Sequence, residues 1–371
     1  MNTNEKKSPL EWGELACEAL MNTFDASNLP PKGRFHYHQG VFLLGMEQCY
    51  LQNADAKYDE YIKAWLNSII DANGQLSECD PTQFDDIQPS ILLYRLLDDK
   101  HNPQYRKVLD TLIPPFKDWK VNEKGGFWHK DDCQNQVWLD SLFMSGPVAM
   151  RYGQLIGDDS YYTLIAHQAK LMYTYMRDEA SGLLYHAWDP SKVAPWADAQ
   201  TGCSPEIWGR ALGWVPVALV EILDILPTSH PDYNELKHIL QDILKSLIPF
   251  QDSSGLWYQV IDKGDDKNNW LETSCTSLFV YALAKAVRLG LLHKVYLTYA
   301  LQGYHGIINR LNFDDNNKLL LEHVCIGTGV GDYTHYLHRP TSTNDLHGIG
   351  TFAMMCAEIN LSNPSVADSA Q

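Results

Sequence analysis

Six stretches of this chain are apolar nearly all the way round at helical spacing: QGVFLLGMEQCYL, IQPSILLYRLL, LDSLFMSGPVAM, GRALGWVPVALVEIL, TSLFVYALAKAV and HGIGTFAMMCAEI. A helix apolar on every side must be buried on every side. Between them run amphipathic segments. In DAKYDEYIKAWLNSIID the residues Tyr58, Ile62, Trp65, Leu66, Ile69 and Ile70 form one apolar stripe. In YNELKHILQDILKSLI the stripe is Leu236, Ile239, Leu240, Ile243, Leu244 and Leu247, and DSYYTLIAHQAKLMYTYM follows the same rule. These predict helices with one wet face, and PLEWGELACEALMNTF supplies one more at the start.

The connections repeat too. GGFWHK, SGLLYHAW, SGLWYQV and NKLLLEH each give a turn residue, a short apolar-aromatic run and a polar or ionisable group. Self-similarity on this scale signals an array of supersecondary units. Six buried inner helices and six amphipathic outer ones close most naturally into an all-α double ring, the (α/α)6 barrel. Short β segments are expected in the loops at one mouth, with one catalytic domain over residues 1–371. An open solenoid would leave one face of each inner helix exposed and would need polar capping repeats.

Charge narrows the ligand. The 29 basic and 46 acidic residues give a formal charge of −17, a field that repels nucleic acid and anionic membranes. An anionic ligand would therefore need local cations in a cleft. No stretch approaches membrane-spanning length. The start of the chain has no apolar signal core. Eight scattered cysteines without a CxxC pair point to reduced thiols of a cytoplasmic protein, and a monomer is expected. No HExxH, EF-hand loop, GxGxxG, P-loop or GxSxG appears, so neither a metal nor a cofactor is expected. In a helix, the spacing of His36 and His38 would point their rings apart.

In a toroid, the residues leading into the inner helices gather at one mouth. They are His36, Tyr37 and His38 for the first helix, and Asp85 and Asp86 for the second. His129, Trp138 and Asp140 serve the third, and His186, Trp188, Asp189 and Arg210 the fourth. Gln259, Asp262 and Glu272 precede the fifth; His323, His335, Asn344, Asp345 and His347 precede the sixth. Carboxylates, imidazoles and aromatic faces in one cleft suit a sugar site. Each also has a plainer reading. Asp140 or Asp85 could cap a helix, and a lone Trp is usually core. Arg210, inside an apolar helix, needs an anionic partner: Asp140, Asp85 or a ligand carboxylate.

The ordered set HYHQGVFL, FDDIQPS, GGFWHKD, QVWLDSLFM, GLLYHAWD, PWADAQTGCSPEIWGRALGW, GLWYQVIDKGD, NNWLETS and STNDLHG spans most of the chain. It resembles the unsaturated rhamnogalacturonyl hydrolases of glycoside hydrolase family 105, although Ser141 stands where that family commonly has Gly. The resemblance implies an (α/α)6 barrel, with Asp140 as general acid and base. It also implies that Tyr37, His38, Asp85, His129, His186 and Arg210 bind substrate; Trp138 and Trp214, inside the matched motifs, are grouped with them. The implied substrate is a small oligosaccharide ending in 4,5-unsaturated galacturonic acid. Burial and the neighbouring Asp85 are expected to raise the Asp140 pKa. The alternatives are a family 88 unsaturated glucuronyl hydrolase, an inverting glucanase or epimerase on the same barrel, and a non-catalytic sugar-binding scaffold.

Overall fold

The computed structural model describes residues 7–97 and 101–362. The amphipathic segments form α1 (Pro9–Met21), α3 (Ala56–Ile69), α5 (Pro103–Leu112), α7 (Ser160–Met176), α9 (Tyr233–Leu247) and α11 (Leu297–Ile308). The apolar ones form α2 (Tyr37–Asn53), α4 (Leu93–Leu96), α6 (Asp140–Ile156), α8 (Gly209–Ile225), α10 (Thr273–Arg288) and α13 (Leu346–Ser362). A short α12 (Tyr333–Leu337) lies in the last loop. The stripes of α3 and α9 are buried as expected, and α8 is buried without a break from Gly209 to Val220.

The inner helices touch in sequence around a ring. The α4 segment packs between α2 and α6 through the turn before it, then come α8, α10 and α13, and α13 returns to α2. That last contact makes the array a closed barrel rather than a solenoid. It is a backbone-on-backbone crossing. A Cβ on Gly45 would stand 2.4 Å from the Gly350 carbonyl, and one on Gly350 would stand 2.3 Å from the Val41 carbonyl. The closure therefore depends on two residues with no side chain.

The second inner helix departs from expectation. Pro89 lies in a 3-10 turn at Gln88–Leu92, and only Leu93–Leu96 is α-helical. Its neighbours α2 and α6 each run 17 residues. The inner ring is therefore short at one place, on the side away from the loops that carry the mouth residues.

The repeated connections share one physical device. Gly74, Gly125, Gly182, Gly255 and Asn317 all sit at positive φ, between 61° and 90°. Ahead of them Asp71, Asn122, Asp178, Asp252 and Asp314 accept backbone N–H bonds with their side chains. This is an Asx turn closed by a residue that tolerates the left-handed region. The loops then pair as two-residue antiparallel strands: β1 (Val137–Trp138) with β2 (Ala187–Trp188), and β3 (Trp257–Tyr258) with β4 (Leu271–Glu272). Likewise β5 (Asn312–Phe313) pairs with β6 (Leu319–Leu320), and β7 (Val324–Cys325) with β8 (Thr341–Ser342).

Candidate active site

The β1–β2 pair builds the centre of the mouth. Trp138 lies opposite Ala187, and the Leu139 N–H donates to the His186 carbonyl at 3.1 Å. Asp140 follows as the first residue of α6, so its side chain meets the His186 ring. Across the cleft, the 3-10 turn Phe84–Asp86 presents Asp85. Trp138 from β1 itself, with Tyr37, His129 and Arg210 from three other chain segments, completes the walls. His129 stacks flat on Trp138 with ring centres 4.3 Å apart, and its Nδ1 lies 2.9 Å from Ser141 Oγ. The serine that departs from the family pattern thus holds an imidazole.

Neither carboxylate caps a helix. The position before Asp140 is Leu139, and no side-chain cap bond forms there or at the turn after Asp85. The capping reading suits Glu272 instead, which accepts the Cys275 N–H at the start of α10 and the Cys325 N–H at 2.8 Å. Asp189 likewise organises its own loop by accepting from Ser191, Val193 and Ala194.

His186 is fully buried and sits in a relay. Its Nδ1 lies 2.6 Å from the Tyr336 hydroxyl, which already accepts the Gly331 N–H at 3.2 Å. Among the described residues, His186 Nδ1 is the one acceptor left for the tyrosine proton. That places the imidazole proton on Nε2, 3.2 Å from Asp140 Oδ2. The two atoms lie off the line of a well-formed hydrogen bond, and neither has another partner. Catalytic contacts of this kind commonly tighten when a ligand binds. Tyr336→Phe is expected to cost about 1 kcal/mol of this support, lowering kcat roughly five- to tenfold with KM little changed. A kcat equal to that of the parent would remove Tyr336 from the relay.

The electrostatics reverse one expectation. Burial raises the Asp140 carboxyl, but the His186 contact, the electrostatic effect of the His186 and His129 rings, and the backbone at the helix start outweigh it. The net position is below the usual aspartate range. Asp85 moves the other way, pushed up to about 7 by burial and by the negative charges of Asp140 and Asp86. The pair therefore carries its proton on Asp85, not on Asp140 as expected from the sequence. Burial also lowers His129 to about 4, which keeps it neutral.

Arg210 is 2% exposed and lies over the Trp208 ring at 4.4 Å. Its guanidinium donates to the carbonyls of Cys325 and, at 2.7 Å, Ile326. No carboxylate among the described residues comes within ion-pairing distance, so neither Asp140 nor Asp85 is its partner. Two carbonyls fix its position without neutralising it.

Two expected site residues fall elsewhere. Trp214 is one turn deeper in α8, 1% exposed and stacked on Phe143 at 4.5 Å, so it forms the floor below the cleft rather than a wall. His38 stands behind Tyr37, stacked on it at 4.2 Å, and opens to a neighbouring cleft with Arg34 and Lys318. The His36 and His38 rings do not point apart. His36 is the extended residue capping α2, which leaves the rings stacked with Nδ1 atoms 3.0 Å apart. His38, Asp345 and His347 bring their donor atoms within 4.8 Å of one another. The tightest contact there is His347 Nδ1 to Asp345 Oδ1 at 2.7 Å, an imidazole–carboxylate pair. Trp208, Met144 and Thr328 also line the cleft. Trp208 stood in the quoted EIWGRALGW motif; nothing in the sequence marked Thr328.

Comparison with known proteins agrees with this fold. The family model described as Glycosyl Hydrolase Family 88 matches residues 12–362. A solved glycoside hydrolase of family 105 from C. acetobutylicum ATCC 824 is 30% identical, with a TM-score of 0.90 over 94% of this chain and 99% of that one. Protein Atu3128 of Agrobacterium fabrum is 33% identical over 229 residues, covering 58% of this chain and 97% of its own length. The unsaturated rhamnogalacturonyl hydrolase YesR of Bacillus subtilis is 28% identical over 195 residues, 53% of this chain and 51% of that one. With its closed double ring and paired carboxyls, the chain belongs to the Glycosyl Hydrolase Family 88 enzymes, on their family 105 side, and is a glycoside hydrolase.

Proposed function

We propose that the protein hydrates the 4,5 double bond of an unsaturated galacturonic acid at the non-reducing end of rhamnogalacturonan I oligosaccharides, freeing it from rhamnose. The observation that carries this reading is the buried, un-neutralised Arg210 guanidinium on the wall of a cleft that also holds Asp85 and Asp140. A buried cation of that kind calls for an anionic ligand group, and the uronate carboxylate supplies it as a charge-assisted pair. Likeness to YesR supports the rhamnogalacturonan substrate.

The chemistry fits two carboxyls lining one cleft, one of which holds a proton near neutrality. The ring oxygen and double bond of the sugar form a vinyl ether. A proton from the Asp140–Asp85 pair goes to C4 and leaves an oxocarbenium-like charge at C5. Water adds at C5 and returns its proton to the pair, Asp140 acting as the base. The C5 hemiketal then opens by breaking its bond to the ring oxygen, which leaves a ketone at C5 and a hemiacetal at C1. The hemiacetal collapses to the aldehyde, breaking the C1–O bond, and the departing oxygen takes a proton and leaves as the rhamnose hydroxyl. Net, one water is consumed and the enzyme's proton is restored. Asp140 is the reacting group in this reading, and Asp85, which lines the same cleft and holds a proton near neutrality, is the source of the proton it delivers. Tyr37, His129 and Trp138 line the sugar pocket.

The whole chain is read as one catalytic domain acting alone. Among the described residues no helix is long and apolar enough to cross a membrane. The eight free cysteines, seven of them buried, fit a reducing, cytoplasmic setting. The test is turnover of unsaturated rhamnogalacturonan and glycosaminoglycan disaccharides, followed by the loss of near-ultraviolet absorbance. The expected result is at least tenfold higher kcat/KM on the rhamnogalacturonan substrate. Preference for the glycosaminoglycan would replace this substrate by the glucuronyl one, and inactivity on both would overturn the reading.

A further inference from the structure

The short second inner helix leaves a space at the opposite end of the barrel. Where α2 and α6 continue past α4, they enclose a cavity of about 440 Å³, within the range of small-molecule sites. Leu44, Ile91, Val148 and Met354 make much of its wall. Its inner end lies just beneath the catalytic cleft. Phe143 faces this cavity while the next residue, Met144, faces the cleft, and Gln88 follows Asp85 by three residues.

The polar groups of the cavity are unequally matched. Glu47 is held by Arg95 at 2.6 Å, and Arg95 also reaches Asp59 at 2.7 Å. Glu221 is held by Lys285 at 2.6 Å and by the Tyr281 hydroxyl at 2.5 Å. Arg151 is different. It lines the cavity, its Nε is buried with no hydrogen-bond partner, and no carboxylate among the described residues reaches ion-pairing distance. Gln88 is not open to a ligand, since its buried Oε1 packs against α2 at Gly40. Leaving the Arg151 group unmet is costly, and an orphan guanidinium favours a planar carboxylate.

We propose that this cavity is a second ligand site, distinct from the catalytic cleft, for a small monocarboxylate with an apolar body. Arg151 takes the carboxylate and the aliphatic walls take the body.

Calorimetric titration of the full chain with phenylpropanoate tests this. One saturable site of millimolar affinity or tighter is expected, unchanged in Arg210→Met. Binding should weaken at least tenfold in Arg151→Gln and for the corresponding amide, which keeps the shape but not the charge. Leu51→Glu, at a rim position already 59% exposed, offers a second variant should Arg151→Gln fold poorly, and it should weaken binding by repulsion. The proposal is overturned by no saturable binding to the parent at millimolar concentration. It is equally overturned by equal affinity in the folded Arg151 or Leu51 variant, or by loss of binding in Arg210→Met.

Discussion

Asp140→Asn is expected to fold like the parent and to lose on the order of 10³-fold in kcat on the unsaturated disaccharide, the range spanned by a general acid–base group. Folding should survive because the side chain caps nothing and, among the described residues, its one ion-pair contact is His186 Nε2. The amide oxygen of Asn can keep that contact while the amide cannot carry a proton to carbon. The same assay read against pH checks Asp85 as the proton source. Pushed up to about 7, Asp85 holds the working proton below neutrality and loses it above. Parent kcat/KM should therefore fall as pH rises through about 7. A profile flat across neutrality would sink that role for Asp85, and substantial turnover by the Asn variant would remove Asp140 as the reacting group.

Arg210→Met is expected to cost kcat/KM about 10²- to 10³-fold. That is the scale for removing one partner of a buried, hydrogen-bonded charge pair, roughly 2–5 kcal/mol. The loss should be specific to charge. With the uronate carboxylate esterified, parent and variant should differ by less than tenfold. Thermal stability should change little, since the guanidinium's desolvation cost disappears along with its two carbonyl contacts. A purely structural Arg210 would give the reverse pattern, with the melting temperature falling and the ratio between free acid and ester unchanged.

Much of the ring was legible in the sequence because burial writes itself into local pattern. The stripes of α3 and α9 and the unbroken apolar run of α8 depend only on neighbours three or four residues away. The turn motif was legible for the same reason, since Gly125, Gly182 and Gly255 each serve a loop a few residues long. What could not be read were partners distant along the chain. Tyr336 meets His186 across 150 residues, and the Cys325 carbonyl meets Arg210 across 115. The sign of the Asp140 shift depended on that imidazole and could not be had from flanking apolar residues alone. A motif gives an order of residues but not a depth, so it could not show that Trp214 lies a turn below the cleft wall. The shortness of the second inner helix is hidden in the sequence because its apolar run outlasts its helical geometry.

The Phe143–Trp214 stack beneath Asp140 has a consequence for how a polymer would be handled. With Phe143 turned to the cavity below and Met144 to the cleft above, the stack separates the two spaces. On the proposed function, a saccharide would then enter the cleft from the mouth with its unsaturated end first, and the freed remainder, nearer the entrance, would leave before the uronate.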